Sequence, residues 1–254
     1  MISLAGKAAV VTGGSRGIGA ATVKLFARAG ADVVFSYNKN REAAAQVEQE
    51  SRRHGTRVES FKADLGKMTG AKALTEFARE RLGRIDILVA NAGIWNEKDT
   101  PIEKVTEHEW DEMMRVNVKS VYAVIHFVVP QMIAQRGGRI IAISSTAGQR
   151  GESFHTHYGA SKGAIISFVK GLSTELARHN ILVNCVAPGW VDTDMSASVL
   201  RNKKLAKDAI APIPLKRVAT ADEIAGPILF VASDLATFMT GEVINVNGGS
   251  ILCG

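Results

Sequence analysis

Short runs of β-branched and apolar residues alternate with longer amphipathic stretches along the whole chain, and this alternation limits the possible folds more than any other feature. The runs IDILVA and GGRIIAIS are apolar almost throughout, which indicates strands buried on both faces. Such strands require helices above and below a mostly parallel sheet. We therefore predict an α/β fold, a doubly wound parallel sheet of about seven strands with helices on both faces.

No proline-rich or serine-rich linker interrupts the pattern, so we predict one domain over residues 1–254. With 46% hydrophobic residues the chain can bury a sizeable core, which excludes a disordered or fibrous protein. Residues 196–215 look less regular and contain two prolines, and we predict a mobile insertion there.

The two cysteines, Cys185 and Cys253, are too far apart for a CxxC metal site and too few for a disulfide framework, which favours a reducing cytoplasm. The N-terminal segment MISLAGKAAVV has no charged region before its apolar run. Residues 120–135 are apolar but include Pro130 and several polar residues. We therefore expect a cytoplasmic protein with neither a signal peptide nor a membrane span.

The chain carries a formal charge of +6, yet nowhere do five like charges adjoin. This surplus indicates an anionic partner, and an acidic cofactor, substrate or carrier protein fits it better than nucleic acid does.

A glycine-rich loop follows the first predicted strand and leads into an alanine-rich helix. Its glycines, spaced Gly13-xxx-Gly17-x-Gly19, allow a tight turn and close approach to a pyrophosphate, whose charge the helix N-terminus stabilises. An ordinary glycine-rich turn is the alternative. The predicted phosphate contacts are Gly13, Ser15, Arg16, Gly17, Ile18 and Gly19.

The end of the second strand bears on the choice of nicotinamide cofactor. A carboxylate there would bind the adenosine ribose and repel a 2′-phosphate, but the sequence reads Ser36-Tyr37-Asn38-Lys39. Arg16 and Lys39 can meet a phosphate dianion, so NADP(H) is favoured over NAD(H), with solvated loop charges as the alternative. The predicted contacts here are Tyr37, Asn38 and Lys39.

Two further segments end strands at the predicted carboxyl edge. Asp64 and Leu65 follow the third strand, where the carboxylate can accept from the adenine amino group. Asn91, Ala92 and Gly93 follow the fourth, where small residues let adenosine lie against the backbone. Either segment can instead be a helix cap or a turn.

Tyr158 and Lys162 are four residues apart on one helical face, and Ser145 ends the preceding strand. Asn117 lies in an apolar helical stretch, where an amide needs a polar partner, although taken alone it is better explained as a satisfied core asparagine. Together these residues suit carbonyl reduction: Tyr158 donates a proton, Ser145 polarises the carbonyl, Lys162 lowers the pKa of the phenol and holds the nicotinamide ribose, and Asn117 anchors a water.

In sequence order, the TGxxxGxG loop, NAG, Ser145, the YxxxK pair and Pro188-Gly189 resemble those of the short-chain dehydrogenases/reductases, over essentially the whole chain. The resemblance implies a Rossmann-like fold, a catalytic tetrad of Asn117, Ser145, Tyr158 and Lys162, and a homotetramer. It also implies cofactor contacts from Tyr158, Lys162, Pro188, Gly189, Val191 and Thr193.

Within the family, GSRGIGAA and the closing residues 240–249 are most similar to the 3-oxoacyl-[acyl-carrier-protein] reductases. That similarity implies reduction of an acyl-thioester ketone, with Arg136 and the pair Arg178-His179 as contacts for an acidic carrier protein or, alternatively, as helix-end stabilisers. A sugar, polyol or other secondary-alcohol dehydrogenase, and a non-catalytic dinucleotide-binding sensor or scaffold, remain alternatives.

The substrate mouth has its own candidates. We predict that His155 and His157 line it without binding a metal. Four apolar side chains are expected in loops around the pocket, or alternatively in the core: Trp95, Phe154, Trp190 and Met195.

Overall fold

The computed structural model describes residues 2–252, and within them seven parallel strands form one sheet. The strands are β1 (Ala8–Val11), β2 (Asp32–Tyr37), β3 (Val58–Lys62), β4 (Ile87–Ala90), β5 (Gly138–Ile143), β6 (Ile181–Pro188) and β7 (Val243–Val246). Their order across the sheet is β3-β2-β1-β4-β5-β6-β7. The winding direction reverses between β1 and β4, which places the ligand crevice of such a sheet at their carboxyl ends.

Helices connect the strands over the described part of the chain. They are α1 (Gly17–Arg28), α2 (Arg41–Arg52), α3 (Met68–Leu82), α4 (Glu107–Met114), α5 (Ser120–Gln135), α6 (Thr146–Arg150), α7 (Thr156–Leu176), α8 (Ala197–Leu200), α9 (Lys203–Ile210) and α10 (Ala221–Ala232). A π-helical turn, Arg115–Lys119, joins α4 to α5. Short 3-10 turns lie at Ile102–Lys104, Ala177–His179 and Asp234–Ala236.

Both faces of the sheet are covered because successive strand residues point to opposite sides. In β1, Ala9 and Val11 pack with α1, α2 and α10 in one apolar cluster. Val10 between them packs with α3, α5 and α7 in the other. The predicted doubly wound, Rossmann-like fold is confirmed.

Residues 196–215 differ from the prediction. They form α8 and α9 rather than an irregular insertion, and α9 is capped by Asn202, whose Oδ1 accepts from the N–H groups of Lys204 at 3.0 Å and Leu205 at 3.2 Å. The prediction of irregular structure was therefore wrong for residues 197–200 and 203–210, because these helices are too short for their periodicity to stand out. The mobility of the insertion stays a prediction.

The helical run Glu107–Gln135 is long and apolar enough to cross a membrane by length and composition alone. Core helices of soluble proteins pass the same test. In this run Val124, Val128 and Met132 are buried in the core against the sheet. The run is therefore only a weak indication of a membrane span.

Candidate active site

The glycine loop between β1 and α1 has the backbone that a pyrophosphate site needs. Gly13 and Gly17 have φ values of 66° and 54°, a region that favours glycine. A Cβ on Gly13 would lie 3.0 Å from the Cα of Ala92, so a side chain would crowd the loop after β4. No acidic residue lies in the first turn of α1, which leaves its positive end open to an anion.

Asn91 and Thr12 fasten the glycine loop to β4. The Asn91 Nδ2 donates to the carbonyl oxygens of Thr12 at 2.9 Å and Gly13 at 3.2 Å. The Thr12 hydroxyl in turn accepts from the backbone N–H groups of Asn91 and Ala92, both at 2.9 Å. Asn91 thus holds the loop through the N–H groups of its amide, and its predicted contact with the cofactor stays a prediction.

The end of β2 borders the same loop. The Ser36 hydroxyl accepts from the Gly13 N–H at 3.2 Å, and beyond it Tyr37 is partly buried while Asn38 and Lys39 are exposed. Arg16 is exposed as well, with Nη1 3.9 Å from Asp194 Oδ2, a separation at which water screens the pair strongly. Two cations are therefore available at this end of the crevice.

Asp64 lies just beyond β3, and Leu65 beside it is buried. Arg115 Nη1 donates to Asp64 Oδ1 at 2.9 Å and Oδ2 at 3.1 Å, and the Gly66 N–H donates to Oδ1 at 3.1 Å. Burial works to raise the pKa of Asp64, but the hydrogen bond and charge of Arg115 outweigh it and hold that pKa below its usual value. The sequence analysis did not predict the pairing of Arg115 with Asp64, because the two residues are 51 positions apart and only the spacing of Arg115 from Glu112 can be read locally.

Asn117 is fully buried in the π turn, and both ends of its amide are bonded. Oδ1 accepts from the Ile94 N–H at 2.7 Å, while Nδ2 donates to the Ile94 carbonyl and to Ser161 Oγ, each at 3.0 Å. These bonds join the loop after β4 to α7. The sequence analysis did not predict the π turn, a geometry that is common at functional sites.

Ser145 and Tyr158 meet across the loop between β5 and α7. Ser145 lies two residues beyond the end of β5 and caps α6, its hydroxyl accepting from the Ala147 N–H at 3.1 Å. Burial raises the pKa of Tyr158 to about 12, and a hydrogen bond with the Ser145 side chain offsets part of that rise. The phenol is accordingly protonated near neutral pH.

Lys162 follows one turn after Tyr158 on α7. Its Nζ donates to the Ile143 carbonyl at 2.9 Å and lies 5.8 Å from the centre of the Tyr158 ring. Burial lowers the pKa of Lys162 to about 8, with the neighbouring Cys185 thiol acting in the opposite direction. Burial is the largest influence on both pKa values in this structure, and the expected lowering of the phenol's pKa by Lys162 stays a prediction.

Gly93 shows how closely the polar groups converge. A Cβ built there would lie 3.2 Å from Asn117 Oδ1 and 3.4 Å from Lys162 Nζ. Both atoms therefore border the same small space beside the loop after β4.

The segment after β6 closes the crevice from the other side. Pro188 ends β6, the Gly189 N–H donates to Val246 at 3.0 Å, and Val191 pairs with Ala219. A Cβ on Gly17 would lie 3.3 Å from Thr193 Cγ2, so this segment reaches the glycine loop.

Three of the predicted mouth residues form one ring cluster. Trp95 stacks on His155 at 4.9 Å and meets Trp190 edge to face at 6.0 Å. Each of these residues comes from a different segment bordering the site. His157 is also buried, which lowers its pKa, and His155 adds to that effect. Phe154 and Met195 are exposed instead of lying in the core.

No group of three or more His, Cys, Asp or Glu side chains between residues 2 and 252 is arranged to hold a metal ion. Cys253 lies outside the described residues.

The basic residues predicted to contact a carrier lie at the opposite edge of the sheet. Arg136 ends α5 in a left-handed conformation, and its carbonyl accepts from Asn180 Nδ2 at 3.4 Å. Arg178 and His179 immediately precede Asn180, so the two basic spots are neighbours. The 21 residues of α7 span about 30 Å between them and Tyr158.

Comparisons with known proteins agree with this geometry. A family model described as enoyl-(acyl carrier protein) reductase matches residues 13–250. The 3-oxoacyl-[acyl-carrier-protein] reductase FabG of Chlamydia muridarum is 41% identical over 97% of this chain and 98% of its own length. That of Thermotoga maritima is 37% identical, covering 98% of this chain and 99% of its own.

Solved structures show the same fold. A short chain dehydrogenase from Burkholderia cenocepacia in complex with NADP superposes with a TM-score of 0.90 and 32% identity, covering 97% of this chain and 98% of that one. A dehydrogenase/reductase from Sinorhizobium meliloti superposes with a TM-score of 0.92 and 35% identity, covering 98% and 97%. The chain belongs to the short-chain dehydrogenase/reductase family, and it is an oxidoreductase.

Proposed function

We propose that this protein uses NADPH to reduce the 3-keto group of an acyl thioester carried on acyl carrier protein. The convergence of Asn117, Ser145, Tyr158 and Lys162 at the carboxyl edge of the sheet carries the proposal. The relatives named 3-oxoacyl-[acyl-carrier-protein] reductase support the choice of substrate.

The residues around the crevice fit NADP(H). The loop 13–19 would cradle the pyrophosphate, Arg16 and Lys39 would meet the 2′-phosphate with Tyr37 and Asn38 beside them, and Asp64 and Leu65 would border the adenine. Bound NADPH supplies the hydride. The remaining proposed contacts are Asn91, Ala92 and Gly93 beside the adenosine, and Tyr158, Lys162, Pro188, Gly189, Val191 and Thr193 toward the nicotinamide.

Tyr158 is the proposed proton donor to the alkoxide that forms as the carbonyl is reduced. A phenol with a pKa of about 12 holds its proton until negative charge develops on the substrate oxygen. Ser145, whose side chain lowers the pKa of the phenol, would donate to that same oxygen and polarise the carbonyl.

Lys162 and Asn117 would return the proton to Tyr158. Asn117 Oδ1 accepts one hydrogen bond from the Ile94 N–H, and its second lone pair can accept from a water beside Lys162 Nζ. An ammonium with a pKa of about 8 exchanges protons readily near neutral pH.

The test is the oxidation of NADPH, followed by absorbance, with an acetoacetyl thioester as substrate and Tyr158→Phe as the control. Turnover that the Phe variant loses supports the proposal, and no turnover above that control refutes it. A crotonyl thioester checks for reduction of a C=C bond, the reaction named in the family description. Glucose and polyols check the alternative secondary-alcohol substrates, and NADPH binding without any turnover would indicate a sensor or scaffold.

The proposal extends to partners and location. An acidic carrier protein would contact the basic spots at Arg136 and Arg178-His179, and charge reversal there should raise KM for the carrier-linked substrate alone. An unchanged KM would leave these residues, which lie about 30 Å from Tyr158 along α7, as helix-end stabilisers. A homotetramer is proposed on the family resemblance, and sedimentation would test it. Residues 1–254 are proposed to form one catalytic domain. A cytoplasmic location is proposed as well, because Cys185 is a free, buried thiol, which is typical of a reducing compartment.

A further inference from the structure

Arg115 is held by two acidic residues from different parts of the chain. Its Nε and Nη2 donate to Glu112 at 2.6 and 2.8 Å, and its Nη1 donates to both carboxylate oxygens of Asp64. Four directed hydrogen bonds fix the plane of the guanidinium and, through it, the orientation of Asp64.

Gly66 leaves room for this arrangement. A Cβ at Gly66 would collide with the guanidinium of Arg115. The backbone next to Asp64 therefore accommodates Arg115 closely, and it also donates the Gly66 N–H to Asp64 Oδ1.

The two carboxylate oxygens of Asp64 differ in how many further hydrogen bonds they can accept. Oδ1 takes Arg115 and the Gly66 N–H, whereas Oδ2 takes only Arg115 among the residues that the structure describes. Because a carboxylate oxygen has two lone pairs, Oδ2 retains one. The Asp64 side chain is 32% exposed, which leaves part of it open to a ligand in the crevice.

Isolated ion pairs between partly exposed side chains contribute little to stability, whereas a bidentate pair within a network, as here, can contribute more. The position of the pair allows a second role. Asp64 lies at the carboxyl edge of β3, on the rim where ligands bind in such sheets and where the proposed function places the adenine.

We propose that Arg115 is a positioning residue that orients Asp64 so that its Oδ2 accepts a hydrogen bond from the adenine 6-amino group of NADPH. The inference rests on the cofactor role proposed above. Arg115 itself touches neither cofactor nor substrate.

The test compares NADPH with its reduced hypoxanthine analogue, in which a carbonyl oxygen replaces the amino group and would face Oδ2 unfavourably. Binding of each is measured by nicotinamide fluorescence, independently of any substrate. Wild type should prefer NADPH by about tenfold, the value of one hydrogen bond to a charged acceptor. Arg115→Met should reduce that preference to about twofold by weakening the binding of NADPH alone. Arg115→Lys keeps the positive charge but not the bidentate guanidinium, so its preference should lie between those of wild type and Arg115→Met.

A matched control is Arg84→Met, which removes another bidentate pair, Arg84 with Asp86, at the amino edge of the sheet. It should leave both affinities unchanged. A tenfold preference retained by Arg115→Met, or an equal loss for both ligands, would overturn the inference, as would a wild type without preference. Failure of wild type to bind NADPH at all would instead overturn the proposed function.

Discussion

Replacing Lys162 with Met should stabilise the folded protein near neutral pH while abolishing activity. The Lys162 side chain is 6% exposed, and burial lowers its pKa from 10.5 to about 8. Since one pKa unit corresponds to about 1.4 kcal/mol, holding the ammonium in this site costs about 3 kcal/mol near pH 7. The lost hydrogen bond to the Ile143 carbonyl offsets about 1–2 kcal/mol, so we expect a net gain of about 1–2 kcal/mol.

The pH dependence gives the sharper measurement. For a lysine whose pKa is lowered by folding, the cost is complete below the folded pKa and disappears as pH rises through the unfolded value of 10.5. The wild type should therefore gain about 2 kcal/mol relative to Lys162→Met between pH 7 and pH 10.

Urea unfolding of both proteins at equal concentration, without cofactor, measures this difference at each pH. Lys170→Met is the matched control, because it makes the same substitution at an exposed position of the same helix. If the difference in unfolding free energy between wild type and Lys162→Met did not change between pH 7 and pH 10, burial would not destabilise the charged form of Lys162.

Three further outcomes are expected. Tyr158→Phe should lower kcat about 10²- to 10⁴-fold, since it removes a positioned proton donor, while NADPH binding measured by fluorescence should persist. Replacing Arg16 and Lys39 together with Gln should lower the preference for NADPH over NADH about tenfold or more, measured as a ratio of dissociation constants; an unchanged ratio would place the 2′-phosphate elsewhere. Asn117→Ala should lower the free energy of unfolding by about 2–4 kcal/mol in urea titrations, because both Ile94 backbone groups lose their partner.

The sheet and most of the site were predictable because they depend on local pattern. Continuous apolar runs such as IDILVA mark strands covered on both faces, and the carboxyl ends of parallel strands then bring Asp64, Asn91 and Ser145 to one edge. The four-residue spacing of Tyr158 and Lys162 fixes their relation on α7 without further information.

What escaped prediction depends on contacts between distant segments. The π turn shifts the backbone hydrogen bonding around Asn117 without changing the apolar pattern of the helix. Arg115 meets Asp64 across 51 residues of chain, which no local spacing reveals. The pKa values of Tyr158 and Lys162 follow from burial, which is set only when the elements pack together.

Transfer of deuterium from NADPH that carries deuterium at both C4 positions to an acetoacetyl thioester tests carbonyl reduction by this site most directly. We predict that mass spectrometry will find deuterium on the carbinol carbon of the product, at a rate that Tyr158→Phe lowers by orders of magnitude. Product without deuterium at that carbon, or labelling equally fast in the Phe variant, would contradict the role assigned to residues 145, 158 and 162.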